Sequence, residues 1–410
     1  MRLTHIHSLF GSVVILAIPA TACNSHHHAT NSHVSTVAAN IQARSARRST
    51  TPPPRDIILE NVRVFNGYKI QRHSTIHISN GLISKPSNCA HTTRIDAGGL
   101  VLLPGFIDAH CHPTTVTHLE SLARHGVTTG LNMACFSSEQ CVSLADIPGV
   151  ADLRFAGAPA SAPGSAHGNI TAMIDPTLLL NNAAEVPAWI DRQLSMEPAP
   201  NYIKIIAETP GLDQETLTAL VVAARKGGKQ SVTHASQRSA YEQAIKAKST
   251  HVHHVPLDEP LLPKAAYLKA MSRNGQIATP TLTMMRAVSR AIPHANYTSA
   301  LLSTRALHHA HIPILAGTDA NDMPGVPATV PFGSSMHDEL GNLVEAGLSN
   351  VQALRAATVE SARFFGLCDR GVVEVGRRAD LVLLGGDPIV DLKNVRDVRR
   401  VWVGGVEVRV

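Results

Sequence analysis

The chain is poor in several residue types on which whole function classes depend. Aromatics are scarce, with eight Phe, five Tyr and two Trp in 410 residues. The basic residues are scattered and not interleaved with those aromatics, so nucleic-acid binding has little support. Charged residues make up only 16%, and the net charge of +5 is modest for this length. The six cysteines show none of the spacing of a small disulfide-stapled domain, although Cys135 and Cys141 are near enough for one local bridge. There is no Gly-x-Ser-x-Gly elbow to carry a nucleophilic serine and no tandem repeat of solenoid type. The one long apolar stretch, Leu9 to Ala20, is too short to span a bilayer comfortably.

What is present is a composition that is 44% apolar, enough to bury a large core, and 23 histidines. The length fits two domains, or one large domain with an accessory one. Arg2, the apolar run and the small-x-small triplet Ala20-Thr21-Ala22 predict a signal peptide over residues 1–22 and hence an exported or secreted protein. Cys23 follows directly, which permits a lipoprotein reading, though Ala20 stands where Leu is usual. Residues 23–55 are polar, end in Pro52-Pro53-Pro54 and are expected to form a disordered leader. Within them Arg47-Arg48 offers a dibasic processing site. Asn169-Ile170-Thr171 and Asn296-Tyr297-Thr298 are glycosylation sequons, relevant only in a eukaryotic secretory pathway. Structure is expected to start near Asp56. Short strands punctuated by Asn66-Gly67 and Asn80-Gly81 open the chain, and strands ending at Gly385-Gly386 and Gly404-Gly405 close it. The simplest account is one small β-domain made from both ends, residues 56–103 and 368–410, with residues 104–367 inserted. The insert alternates strands and helices. Ile203–Ile206 reads as a strand, Asp213 as an N-cap, and Leu217, Leu220, Val221 and Ala224 as one apolar helix face stopped by Gly227-Gly228. Such alternation predicts a parallel sheet, open or closed.

The chemistry collects at strand ends. Val101 to Leu103 leads through Pro104-Gly105-Phe106-Ile107-Asp108-Ala109 into His110-Cys111-His112. In a strand, residues two apart point to one side, so His110 and His112 can aim two imidazoles at one ion, with Cys111 facing the other way into packing. Alone, the pair reads equally well as two core or surface histidines. Further candidates end other strands: His234 after Val232-Thr233, His254 after Val252-His253, and Asp319 after Ile314-Leu315-Ala316-Gly317-Thr318. Each has an ordinary reading as a cap or a backbone-bonded histidine. Together they are four imidazoles and a carboxylate, a donor set suited to Zn²⁺ and related ions. Lys204, between Ile203 and Ile205, faces a barrel interior where an unpaired ammonium is costly. It either snorkels to the rim or has reacted with CO₂ to give a carbamate able to bridge two metals.

Pro-Gly-x-Ile-Asp-x-His-x-His, a strand lysine, two later strand-end histidines and Gly-Thr-Asp resemble the amidohydrolase superfamily, in its imidazolonepropionase-like and Xaa-Pro dipeptidase-like branch, which includes secreted ochratoxin-type amidases. The resemblance runs from about Asp56 to Val410 and takes in Glu345–Leu348, Ala353–Thr358 and Gly376–Val382. It implies a TIM (β/α)8 barrel over 104–367 with a small β-sandwich domain formed by both termini. It also implies two divalent ions, zinc by expectation. His110, His112 and Asp319 would bind the more buried ion, His234 and His254 the second, and carboxylated Lys204 would bridge them. Asp319 would also take the proton of the attacking water. His167 matches a loop histidine of the branch and is a candidate substrate contact; His337 is a weaker one. Leu131-Asn132 and His253 depart from the residues usual in relatives, Arg-Asp and Glu. The implied reaction is hydrolysis of a C–N amide bond in a dipeptide, N-acyl amino acid or cyclic amide. The expected partner is a small-molecule substrate; nucleic acid and a membrane-spanning segment in the mature chain are not expected, and a homo-oligomer is compatible with the sequence. Lactone or phosphotriester hydrolysis would use the same cluster. A deaminase usually lacks the bridging lysine, so Lys204 counts against one. The non-enzymatic alternative is an exported metal-binding protein whose active part is the His-rich tail around His26-His27-His28.

Overall fold

The computed structural model describes residues 25–53, 55–86, 92–323 and 326–410. The expected signal peptide and Cys23 lie outside the described residues.

The two ends of the chain meet in one sheet. Its strands are β1 (Ile57–Phe65), β2 (Ile70–Ser79), β3 (Leu82–Ser84), β4 (Thr93–Asp96) and β5 (Val101–Pro104) from the first end. From the second come strands over Leu381–Leu384, Val398–Val403 and Val406–Val408. The link between the ends is an antiparallel ladder from Leu381↔Pro104 to Leu384↔Val101. Asn80 and Gly81 join β2 to β3 with φ of 53° and 78°, the two left-handed residues of the tight hairpin that an Asn-Gly pair favours. The sheet branches at β1, whose first half pairs with β4 and whose second half pairs with β5. Leu59, Val62, Leu102, Leu381, Leu383 and Trp402 are buried together in a core of their own.

Between these ends parallel strands alternate with helices. β6 (Phe106–Cys111), β7 (Val127–Asn132) and β8 (Asp152–Phe155) form one sheet; β9 (Tyr202–Ile206), β10 (Gln230–His234), β11 (His251–His253) and β12 (Ile277–Thr279) form another. Isolated parallel bridges Ala156↔Tyr202 and Ala160↔Ile205 connect the β8 side to β9. The segment from Ile314 to Ala320 bridges β12 at Ala278↔Ile314 and β6 at Cys111↔Ala320. Ile107, Leu131, Tyr202, Val232, Ile277 and Leu315 contribute to one buried cluster shared by these strands. The helix Gln214–Lys226 follows its sequence signals: Asp213 accepts from the Thr216 N–H at 2.7 Å, Leu217, Leu220, Val221 and Ala224 are buried, and Gly228 takes φ +70° just beyond its end. Cys135 and Cys141 form the expected local disulfide, and Cys111 is packed in the core. No described helix is long and apolar enough to cross a membrane.

The disordered leader expected over 23–55 is corrected by the structure. Ser25–Thr50 forms a helix, α1. Asn40 is 3% exposed; its amide donates to the Thr114 carbonyl (2.9 Å) and to Ser143 Oγ, and its Oδ1 accepts from the Val116 N–H (3.2 Å). Arg44 donates to the Val142 carbonyl, and Arg47 pairs with Glu120. The contact face of α1 is thus mostly polar, with Ala43 as its apolar contact, and is held by hydrogen bonds and an ion pair. An apolar periodicity, the signal by which a docked helix is read from sequence, is weak because most of what holds it is polar. Asn40→Ala should therefore cost about 1–3 kcal/mol, since it leaves a buried N–H and a carbonyl without partners. A lowered urea midpoint for the purified variant is the expected outcome; an unchanged one would show that the Asn40 bonds contribute nothing to stability.

Candidate metal centre

The strand ends converge because two chain segments can approach without side chains between them. A Cβ on Gly317 would lie 2.9 Å from the His110 backbone nitrogen and 2.6 Å from Thr279 Cγ2, so only glycine fits there. The close approach lets the His110 carbonyl accept from the Asp319 N–H (2.7 Å) and the Thr318 N–H (3.1 Å). Asp108, fully buried, accepts from Thr318 Oγ1 at 2.6 Å, the Thr318 N–H at 3.0 Å and the His110 N–H at 3.1 Å. Burial pushes its carboxyl up to about 7 against those bonds.

This brings His110, His112 and Asp319 together, with one ligand atom from each lying within 4.8 Å of the others. His110 Nε2 is 3.3 Å from His112 Nε2, and Asp319 Oδ1 is 3.3 Å and 3.0 Å from these two nitrogens. His254 adjoins them: its Nδ1 lies 2.7 Å from Thr281 Oγ1 and 3.9 Å from Asp319 Oδ2, and its ring centroid is 4.8 Å from that of His110. His234 stands one ring further out, 4.3 Å from His254, with Nε2 3.2 Å from Ser236 Oγ. Asp319, His254 and Thr281 all have left-handed backbones, with φ of 58°, 69° and 51°. Such strain in non-glycine residues gathers where a site over-determines the backbone.

Lys204 lies mid-strand in β9, in register with Val232, 3% exposed, and its Nζ has no hydrogen-bond partner. Burial pushes the amine down to about 7, with Asp319 opposing. Burial likewise holds His110 and His234 well below the ordinary imidazole range, helped by Lys204 at His110 and by His167 at His234. It takes His254 to about 3, against the pull of Asp319. These rings are neutral at neutral pH, the form a metal ligand must have. Asp319 is buried too, which raises a carboxyl, but the His112 hydrogen bond and the neighbouring His254 and Lys204 outweigh that and hold it below its usual value. A compact group of imidazoles and a carboxylate beside an orphaned lysine nitrogen fits divalent ions of the zinc type.

His167 opens the helix Ala166–Ile174. Its Nδ1 is 2.8 Å from Glu208 Oε2, its backbone N–H donates to Glu208 Oε1 at 3.0 Å, and its ring is 4.3 Å from His234. His337 does not join the cluster: its Nε2 bonds the His125 carbonyl at 2.9 Å. Asp108 stood in the sequence motif without a role, and Glu208 and Thr281 were given none. Glu208 follows the end of β9, and Asp108 sits two residues before His110, so both had a positional signal; Thr281 had none. A cavity of about 840 Å³ between α1 and the sheet edge is lined by Arg47, Arg55, Arg124 and Arg409 among others. It is remote from this cluster and holds none of its side chains.

Residues 202–408 match the amidohydrolase family. The chain is 25% identical over 370 residues to adenine deaminase 2 of Desulfotalea psychrophila, covering 86% of this chain but only 57% of the relative's length. It is 27% identical over 368 residues to imidazolonepropionase of Deinococcus deserti, covering 78% of this chain and 87% of that one. In fold it is similar to the crystal structure of a Xaa-Pro dipeptidase with bound methionine in its active site, with a TM-score of 0.71 at 20% identity, covering 87% of this chain and all of the other. At that identity the likeness is one of fold.

The close approach at Gly317 is testable. Gly317→Ala should destabilise the protein by about 1–3 kcal/mol, the usual cost of forcing a methyl into a packed site, because the methyl meets backbone and cannot be accommodated by a rotamer change. Equilibrium unfolding in urea measures it; a variant as stable as the parent would mean that the segment does not press on His110 as described.

Proposed function

The chain belongs to the amidohydrolase family, and from that premise we propose that it hydrolyses a C–N amide bond in a dipeptide, an N-acyl amino acid or a cyclic amide. The observation that carries the reading is the convergence of His110, His112 and Asp319 beside the buried, unpartnered Lys204 nitrogen. In this reading His110, His112 and Asp319 would hold one divalent ion, His234 and His254 would hold a second, and Lys204, once carboxylated, would be a further ligand. Such ions, zinc first among them, supply Lewis acidity to the attacking water and to the scissile carbonyl. Asp319, kept ionised by its neighbours, accepts the water's proton and returns it to the leaving nitrogen. His167, held by Glu208 on the outer side of His234, is positioned as a substrate contact.

We read the two parallel sheets and the segment from Ile314 to Ala320 as a (β/α)8 barrel, and the branched sheet of the two ends as a small β-sandwich beside it; the bridging residue pairs and the two separate cores support this. In a barrel, catalytic side chains sit at the C-terminal strand ends, where this cluster is found. We also retain export as a proposal, supported by the sequence of residues 1–22 and by the Cys135–Cys141 disulfide, a bond that persists in oxidising compartments.

The decisive experiment is a hydrolysis screen of dipeptides, N-acyl amino acids and cyclic amides, with lactones, phosphotriesters and adenine as contrasting arms, before and after chelation. Turnover of at least one amide class, lost on chelation and regained with a divalent ion, is expected. Turnover confined to the contrasting arms, or indifferent to chelation, would overturn the proposal.

Lys204 yields a separate expectation. Above about pH 7 its neutral amine predominates, and only that form attacks CO₂, forming an N–C bond and releasing a proton. Reloading of metal-free protein should therefore be faster with added bicarbonate, and faster on the alkaline side of pH 7 than on the acid side. Lys204→Ala should lose most bound metal. Reloading indifferent to bicarbonate, together with full metal content in the alanine variant, would remove the carbamate.

A further inference from the structure

His253 lies behind His110, and the backbone goes out of its way to put it there. Successive strand residues face opposite sides, yet the rings of His253 and His254 both lie 4.8 Å, centroid to centroid, from that of His110. The alternation is broken by the left-handed backbone of His254, φ +69°. His253 continues the ladder, paired with His234 on β10 and with Thr279 on β12, so its place is fixed on both sides. It is fully buried.

The two rings meet through one nitrogen each. His253 Nδ1 is 2.8 Å from His110 Nδ1, and His110 Nε2 is the nitrogen that faces His112 and Asp319. Two bare lone pairs repel at that separation and two N–H groups collide, so one proton lies between the rings. If His110 offers its Nε2 lone pair to an ion, its own proton must sit on Nδ1, and the acceptor of that proton is His253 Nδ1. A ligating histidine usually gives its second N–H to a carboxylate, a backbone carbonyl or water; here another imidazole does that work. His253 then carries its proton on Nε2, and that atom has no partner in the structure.

We propose that His253 is a positioning residue: by accepting from His110 Nδ1 it fixes the tautomer and the plane of His110 that present Nε2 to a divalent ion. The inference rests on the reading of His110 as a metal ligand. It differs from a packing role, because what matters is an acceptor at the position of Nδ1 and not the volume of the ring. Asparagine places its Oδ1 near that position; leucine fills space there and accepts nothing.

The test measures Zn²⁺ affinity by competition with a chromophoric chelator, for full-length wild type and for His253→Leu, His253→Asn and His253→Ala, with thermal melts of the metal-free proteins alongside. His253→Leu and His253→Ala should bind Zn²⁺ about 10–100-fold more weakly, the usual effect of removing a ligand's outer partner, and His253→Asn should recover most of that loss. If the leucine variant does not fold, the comparison of asparagine with alanine decides. Leucine binding as tightly as wild type, or asparagine no better than alanine, overturns the role of His253 while leaving the metal centre standing. Wild-type protein that takes up no ion overturns the metal reading and this inference with it.

Discussion

The cluster depends on one contact, the buried carboxylate of Asp108 against Thr318. Its oxygens take the Thr318 hydroxyl, the Thr318 N–H and the His110 N–H at once, so a single side chain sets the distance between the end of β6 and the segment carrying Asp319. The His110 carbonyl completes the lock by accepting from the N–H groups of Thr318 and Asp319. None of this can form unless the residue before Thr318 lacks a Cβ, because that atom would run into His110 itself. The left-handed backbone of Asp319 follows from the same lock: the chain must turn sharply to bring its carboxylate back over the two imidazoles, and the bonds on either side sustain a conformation that a free chain would leave.

Burial then sorts the titratable groups into roles. A buried charge is costly unless compensated, so the imidazoles, which have few compensating partners, are driven neutral, and the lysine amine is brought toward neutrality. Asp319 escapes the same pressure because several of those rings, and Lys204, surround it. Asp108 accepts from hydroxyl and amide donors, but its burial, with the charge of Asp319 adding to it, pushes it upward instead. The two carboxylates therefore differ because Asp319 has the His112 hydrogen bond and the nearby Lys204 to favour its charge, while the bonds Asp108 accepts do not outweigh its burial. Divergence of that kind separates a group that can exchange protons with substrate from one that holds the scaffold.

Much of this was legible in the sequence because strand ends carry their own grammar. An apolar run that stops at His-x-His or Thr-His declares both a strand and what lies at its tip, and the Asn-Gly hairpin and the Asp213 cap were readable from local chemistry alone; the run before Gly-Thr-Asp proved to be an extended segment held by isolated bridges and not a strand. What escaped was held by partners distant in sequence. Glu208 is unremarkable until His167, 41 positions earlier, is seen on it. Thr281 acquires meaning only from His254 across 27 positions. The helix α1 escaped for a different reason: pattern reading detects helices by their apolar face, and the face that α1 presents to the protein is Asn40, Arg44 and Arg47 with only Ala43 between them.

That polar docking changes how the N-terminal region should be regarded. Asn40 holds the carbonyl of Thr114 and the N–H of Val116, on either side of the turn that leaves His112 and enters the next helix. The same asparagine reaches Ser143, at the end of the short helix that contains Cys141, so α1 ties the disulfide loop to the exit of the His-x-His strand. A leader that reads as expendable is bonded within two residues of a candidate ligand. Its removal would take away bonds at Thr114 and Val116, just after His112, so a loss of metal on truncation would follow from lost support at the strand end as readily as from a metal-binding tail.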